Sequence, residues 1–167
     1  MTFQKLTSEE LRKHKGISYP GVTTSFLCYD SSGRVFQAKR SKHSRDEQGS
    51  WEFGGGGLKH GQTLINNLTR ELKEEFNFKP LKLDFIGHFE MFRESNGIKT
   101  HWLAMGFAVL VDPEELNINE PEMFDDHGWF TLETLPSPQH SVTHLYLEQY
   151  GEKIRNIIAG GSKTKKA

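Results

Sequence analysis

The sequence predicts an α/β fold in which a mixed β-sheet is flanked by helices, and three observations predict it. Runs rich in β-branched and aromatic residues occur before and after one strongly periodic helix. A second amphipathic stretch closes the chain. Neither a repeat nor a Gly/Pro/Ser-rich linker divides it, so its 167 residues read as one domain, long enough to bury about 70% of the unfolded chain's surface without staples. Strands, helix, strands, helix is the order that layers helices on a sheet.

Residues 1–19 are charged and read as an arm or short helix, with Thr7 or Ser8 as cap and Glu9 and Glu10 in the first turn. Tyr19-Pro20-Gly21 punctuates the chain, and the domain runs over residues 20–158. Residues 22–29, VTTSFLCY, form a strand, and Asp30-Ser31-Ser32-Gly33 a turn. In residues 34–40, Val35, Gln37 and Lys39 alternate with Phe36 and Ala38, which predicts a β-hairpin. Residues 41–50 are a polar loop. Trp51-Glu52-Phe53 is a short strand leading into Gly54–Gly57, a run that leaves backbone open to close approach by a ligand. Thr63 is a fair N-cap for a helix reaching Phe76, with Ile65, Leu68, Leu72 and Phe76 on one side, and Pro80 prevents its continuation. Residues 81–93 and 100–111 are strands joined at Ser95-Asn96-Gly97. Residues 112–122 are acidic and turn-like, 128–131 a short strand, 139–158 the C-terminal amphipathic helix, and 159–167 a basic flexible tail.

Composition excludes several classes. Net charge is −1 and the pI about 6.7, so there is no basic excess for bulk nucleic-acid binding. Cys28 is the only cysteine, which excludes an internal disulfide and a cysteine-cluster zinc site and fits a reduced, cytoplasmic compartment. The first residues lack the apolar run of a signal peptide, and no stretch is apolar enough to span a bilayer.

The chemistry concentrates in Arg70-Glu71-Leu72-Lys73-Glu74-Glu75. On a helix Glu71, Glu74 and Glu75 fall within an arc of roughly 100°. Like charges so placed repel, and a divalent cation reverses the sign of that interaction. The preceding glycines are not a nucleoside triphosphatase P-loop, because no Gly-Lys-Ser/Thr follows.

From Gly56 to Phe78 this stretch resembles the Nudix hydrolase signature: a glycine, five residues, a glutamate, seven residues, Arg-Glu, an apolar residue, any residue, Glu-Glu, any residue, Gly and an apolar residue. Gly56, Arg70, Glu71, Leu72, Glu74, Glu75 and Phe78 stand in register without a gap. Gln62 replaces the first glutamate, and Asn77 replaces the second glycine, where a left-handed backbone tolerates Asn best after Gly. The resemblance implies an α/β/α sandwich holding a catalytic loop-helix-loop. It also implies hydrolysis of a diphosphate linkage in a nucleoside diphosphate derivative, with Mg2+ or Mn2+ as cofactor. By resemblance, Glu71, Glu74, Glu75 and the Gly55 carbonyl are metal ligands. Glu71 is the first choice of general base and Glu74 the second, some members using a glutamate from a distal loop. Arg70 pairs with a neighbouring glutamate and orients it.

The segment from Glu120 to Leu135 looks like the nucleotide-cleaning branch of that family, which implies a nucleoside triphosphate cut to monophosphate and pyrophosphate. Cleavage of a nucleotide sugar of the ADP-ribose type is the alternative, and a non-hydrolysing nucleotide-binding module the rival, kept open by Gln62. The implied partner is a small nucleotide, with a homodimer as an admissible assembly. Arg40, Trp51, Glu122 and Asp125 are the candidate substrate contacts, and Glu120 and Asp126 share the acidic segment. Each has a plainer reading as surface charge or strand packing. His140 and His144 have metal-compatible spacing, with a solvated or packed pair favoured.

Overall fold

The structure is a computed structural model that describes residues 7–95 and 97–161. The start of the arm, Asn96 of the turn and the tail from residue 162 lie outside the described residues. The sheet is built around β1 (Gly21–Tyr29), whose run of β-branched and aromatic residues suits a strand buried on both faces. It lies parallel to β6 (Ile98–Leu110), from Gly21 opposite Trp102 to Tyr29 opposite Leu110. β6 returns antiparallel from β5 (Lys82–Ser95) across the turn at Gly97, which takes a φ of 75°. On the other side β1 pairs antiparallel with β4 (Gly54–Gly57). Beyond them β2 (Val35–Arg40) pairs with both β3 (Trp51–Glu52) and β7 (Phe124–Phe130). One parallel pair among antiparallel ones makes the sheet mixed.

The expected hairpin of β1 and β2 exists at its turn and nowhere else. Asp30, almost fully buried, accepts from the Ser32 and Arg34 backbone N–H groups at 2.9 Å and pairs with the Arg34 guanidinium. Only Tyr29 and Val35 then pair, because β4 occupies the edge of β1 from Thr23 to Phe26 and β2 turns away to β3 and β7. The expected alternation in β2 holds, with Phe36 and Ala38 in the α2 layer and Val35 in the α3 layer, and Val35 to Ala38 are all buried because both faces are covered.

Two apolar layers sandwich the sheet. Phe26 and Cys28 of β1 point to α2 (Leu64–Phe76), joining Leu68, Leu72, Phe76 and Phe107. Leu27 and Tyr29 point the other way, joining Tyr146, Ile154 and Ile158 of α3 (Ser141–Gly161). Each fully buried aliphatic or aromatic side chain contributes about 1.5–3 kcal/mol. α3 continues through Ala159 to Gly161, residues assigned from sequence to the tail. The arm carries a short helix, α1 (Ser8–His14), closed by a capping box between Thr7 and Glu10.

Candidate active site

Helix α2 is fixed at both ends. Thr63 caps it by accepting from the Asn66 backbone N–H at 3.1 Å, and Asn77 ends it in the left-handed region at φ 60°. Its buried face keeps Leu68, Leu72 and Phe76 of the expected stripe, loses Ile65 and gains Leu64 and Asn67. Leu64, Asn67, Leu68, Leu72 and Phe76 turn inward, whereas Ile65 is 43% exposed. Asn67 is buried because its amide is satisfied: Nδ2 donates to Thr24 Oγ1 at 2.8 Å and Gly56 O at 3.3 Å, and Oδ1 accepts from Arg70 at 2.7 Å.

Gly54–Gly57 is a strand rather than the open loop expected, and its lack of side chains decides the site. A Cβ on Gly56 would lie 2.1 Å from the Glu71 carboxyl carbon, and one on Gly54 would lie 2.9 Å from Glu75 Oε2. Alternate residues of a strand face opposite sides. Gly54 and Gly56 therefore face the α2 carboxylates, and a Cβ on Gly57 would instead meet Lys15 Nζ.

Arg70 gathers the first two carboxylates. Its guanidinium donates to Glu71 Oε1 at 2.6 Å and to Glu74 Oε2, and Asn67 holds the same group from below. Gln62, at the signature's glutamate position, accepts weakly from Arg70 at 3.5 Å. Glu75 is different. Its Oε2 is buried and has no hydrogen-bond partner. Burial, and then the charges of Glu52, Glu71 and Glu120, push the Glu75 carboxyl well above its ordinary range, against a backbone hydrogen bond from Gly55. Burial also pushes Glu52 up to about 7, although the Arg40 guanidinium donates to both its oxygens at 2.7 and 2.8 Å. Glu120 is raised by burial and by Glu122, Glu71 and Glu74.

This donor set fits a hard divalent cation: all oxygen, excess negative charge, and one buried carboxylate oxygen without a partner. Among the described residues no three acidic or histidine side chains already form a closed cation cage. Arg70 accounts for that, since it holds Glu71 and Glu74 to itself.

The other face of β4 borders a cleft of about 660 Å³. Arg40, Arg45 and Arg93 line it together with Ile17, Met91, Ile98 and Trp102. Of the four candidate substrate contacts, the structure brings only Arg40 to this cleft, and its guanidinium is engaged by Glu52 and Asp46. Trp51 is 8% exposed and packs edge-on against Phe130, outside the cleft lining. Glu122 and Asp125 are exposed and also lie outside it. The acidic residue of that segment that faces the α2 carboxylates is Glu120. His140 and His144 diverge: His144 is exposed, and His140 is buried, its Nδ1 accepting from the Val142 backbone N–H at 3.1 Å.

Sequence reasoning passed over three residues. Asn67 interrupts an apolar stripe between Leu64 and Leu68, and that interruption was readable. Asp46 and Glu47 sit in the polar loop, where they bind Arg40, Arg93 and the N-terminus of α3. Asp46 pairs with both arginines at 2.8 Å, and Glu47 accepts from Ser141 N at 2.7 Å. No local pattern announces such long-range partners.

Comparison with known proteins gives these observations a family. The family model described as NUDIX domain matches residues 20–151. An RNA pyrophosphohydrolase of Bartonella bacilliformis is 29% identical over 156 residues, covering 79% of this chain and 89% of that protein. The crystal structure of a MutT NUDIX hydrolase from Burkholderia pseudomallei superposes with a TM-score of 0.69 at 26% identity, over 78% of this chain and 98% of that one. The NUDIX domain of Shewanella oneidensis NrtR, solved with ADP ribose, gives a TM-score of 0.65 at 16% identity, over 89% of this chain and 99% of that one, a likeness of fold. The α/β sandwich, the Arg70-anchored glutamates and the match across residues 20–151 agree: the chain belongs to the Nudix hydrolase family.

Proposed function

We propose that this protein is a divalent-metal-dependent pyrophosphohydrolase that cuts a nucleoside 5′-triphosphate to the monophosphate and pyrophosphate. The single observation that carries the reading is Glu75: a carboxylate buried beside Glu71 and Glu120, with one oxygen unpartnered, behind a strand that has no side chains. Glu71, Glu74, Glu75 and the Gly55 carbonyl hold Mg2+ or Mn2+, which supplies charge neutralisation on the diphosphate and activation of water. Arg70 positions Glu71 and Glu74. Glu71 is the first candidate for general base and Glu74 the second; Glu120, whose carboxyl is raised by burial and by Glu122, Glu71 and Glu74, is the distal-loop candidate. The cleft on the far side of β4 receives the nucleoside.

A second reading has its own support. The Bartonella bacilliformis relative is named for action on RNA, and a triphosphorylated RNA 5′ end presents the same triphosphate on a nucleoside. Mg2+-dependent release of pyrophosphate from the four nucleoside triphosphates and from a 5′-triphosphorylated RNA oligonucleotide, with release of AMP from ADP-ribose, separates the readings. Turnover of free triphosphates at least tenfold above the RNA supports the first. The reverse ranking establishes the second, and tight binding without turnover of any of them overturns both.

A further inference from the structure

The NUDIX match begins at residue 20, yet one end of the cleft is built by chain ahead of it. After α1 the segment from Lys15 to Tyr19 folds back on itself, with Gly16 N donating to Tyr19 O at 2.8 Å and Tyr19 Oη to Leu11 O at 2.7 Å. The His101 backbone N–H then ties Gly16 O to β6 at 2.7 Å. Gly16 lies against the Trp102 indole so closely that a Cβ there would stand 2.7 Å from the ring, and its φ of 79° excludes most other residues. The segment from Lys15 to Tyr19 is therefore a fixed wall.

That wall brings two kinds of group to the cleft. Ile17 and Ile98 are 53% and 51% exposed and line it with Trp102 and Met91, apolar surface on which a flat ring can lie. Lys15 Nζ donates to Leu58 O at 2.6 Å, sits 5.6 Å from the Trp102 ring centre and adjoins Gly57. An ammonium carries three donors and no acceptor, so one carbonyl leaves it others to give. Arg40, Arg45 and Arg93 line the same cleft, Arg93 lying between Met91 and Ile98 on the β5–β6 ladder. The side chain of Arg45 is 78% exposed and its nearest carboxylate, on Asp46, is 3.6 Å away. The cleft thus combines apolar surface and a lysine donor with arginines able to meet phosphates.

Resting on the nucleotide reading above, we propose that the N-terminal arm is the nucleobase wall and that Lys15 is a specificity-determining residue. Among purines it selects those bearing a 6-carbonyl, guanine and hypoxanthine, over adenine, which presents an amino donor at the same position. A donor meeting an acceptor in one case and a donor in the other discriminates by about tenfold or more.

The test compares kcat/KM for GTP, ITP and ATP in the wild-type protein, K15M and K15R, with Tm measured for each. The wild type favours GTP and ITP over ATP by about tenfold or more. K15M loses that preference through a KM for GTP and ITP that rises about tenfold or more while the KM for ATP does not rise with it, and K15R retains part of the preference. A wild-type preference for ATP overturns the proposal. So does an unaltered preference in K15M, or an equal loss on all three substrates with a lowered Tm, the behaviour of a mere strap. If no triphosphate is turned over, calorimetric binding of GDP, IDP and ADP to the same three proteins reads the preference directly. Failure of the hydrolase reading is thereby separated from failure of the Lys15 assignment.

Discussion

At the scale of single residues, Glu75 and His140 are both buried titratable groups, held off their ordinary behaviour in opposite directions. The Glu75 carboxyl is raised by burial and neighbouring carboxylates. A carboxyl raised on folding favours the fold while protonated, and that contribution is lost as pH rises through its folded value. The metal-free protein should therefore lose Tm as pH rises above the ordinary carboxylate range, a loss to which Glu52, pushed up to about 7, adds between pH 4.5 and about 7. Mg2+ should restore it. Glu75→Gln keeps the shape without the charge: the metal-free Tm holds or rises, the Mg2+-induced rise in Tm disappears, and turnover falls by orders of magnitude. A retained Mg2+ response in this variant contradicts the ligand assignment. His140 runs the other way. Burial, with Arg93 and Arg40 adding and Glu47 opposing, lowers its value to about 4 from 6.5. Its contribution is complete above pH 6.5 and is lost as pH falls toward 4. Melting curves of wild type and His140→Asn across that window should show a steeper acid loss in the wild type.

At the scale of the element, α2 combines a packing face with a chemical one. Leu72→Ala should cost about 2–5 kcal/mol of stability, read from denaturant unfolding, because its side chain is fully buried between β1 and α2. Asn67→Ala should cost roughly 1–3 kcal/mol, since Thr24 and Gly56 lose a buried partner. It should also lower kcat, because Arg70 loses the acceptor that steadies it between Glu71 and Glu74. Much of this helix was legible in sequence. The Thr63 cap, the Asn77 terminus and the carboxylate arc follow from local rules that tertiary packing did not override. Ile65 was misplaced because three- and four-residue spacing admits two adjoining stripes. The choice between them was made by Asn67, whose partners on β1 and β4 are remote in sequence.

At the scale of the molecule, the glycine strand is a thin partition between the carboxylates of α2 and the cleft. The layer order of the sandwich was legible, because periodicity reports which faces are apolar. The crossing of chain from β3 to β4, which limits the β1–β2 hairpin to one pair, was not, since a run of glycines carries no periodicity at all. Trp51, Glu122 and Asp125 have the chemistry of substrate contacts, but only the three-dimensional path of β3 and β7 shows that they lie outside the cleft lining. The separation of catalytic helix from cleft means that base preference and hydrolysis should be alterable independently. The most direct test is pyrophosphate release from nucleoside triphosphates by wild type and Glu75→Gln, with Mg2+ and with a chelator. Turnover in the wild type that requires Mg2+ and drops by orders of magnitude in Glu75→Gln is the expected result. Turnover that persists with the chelator, or is undiminished in the variant, would contradict a metal-dependent site built on α2.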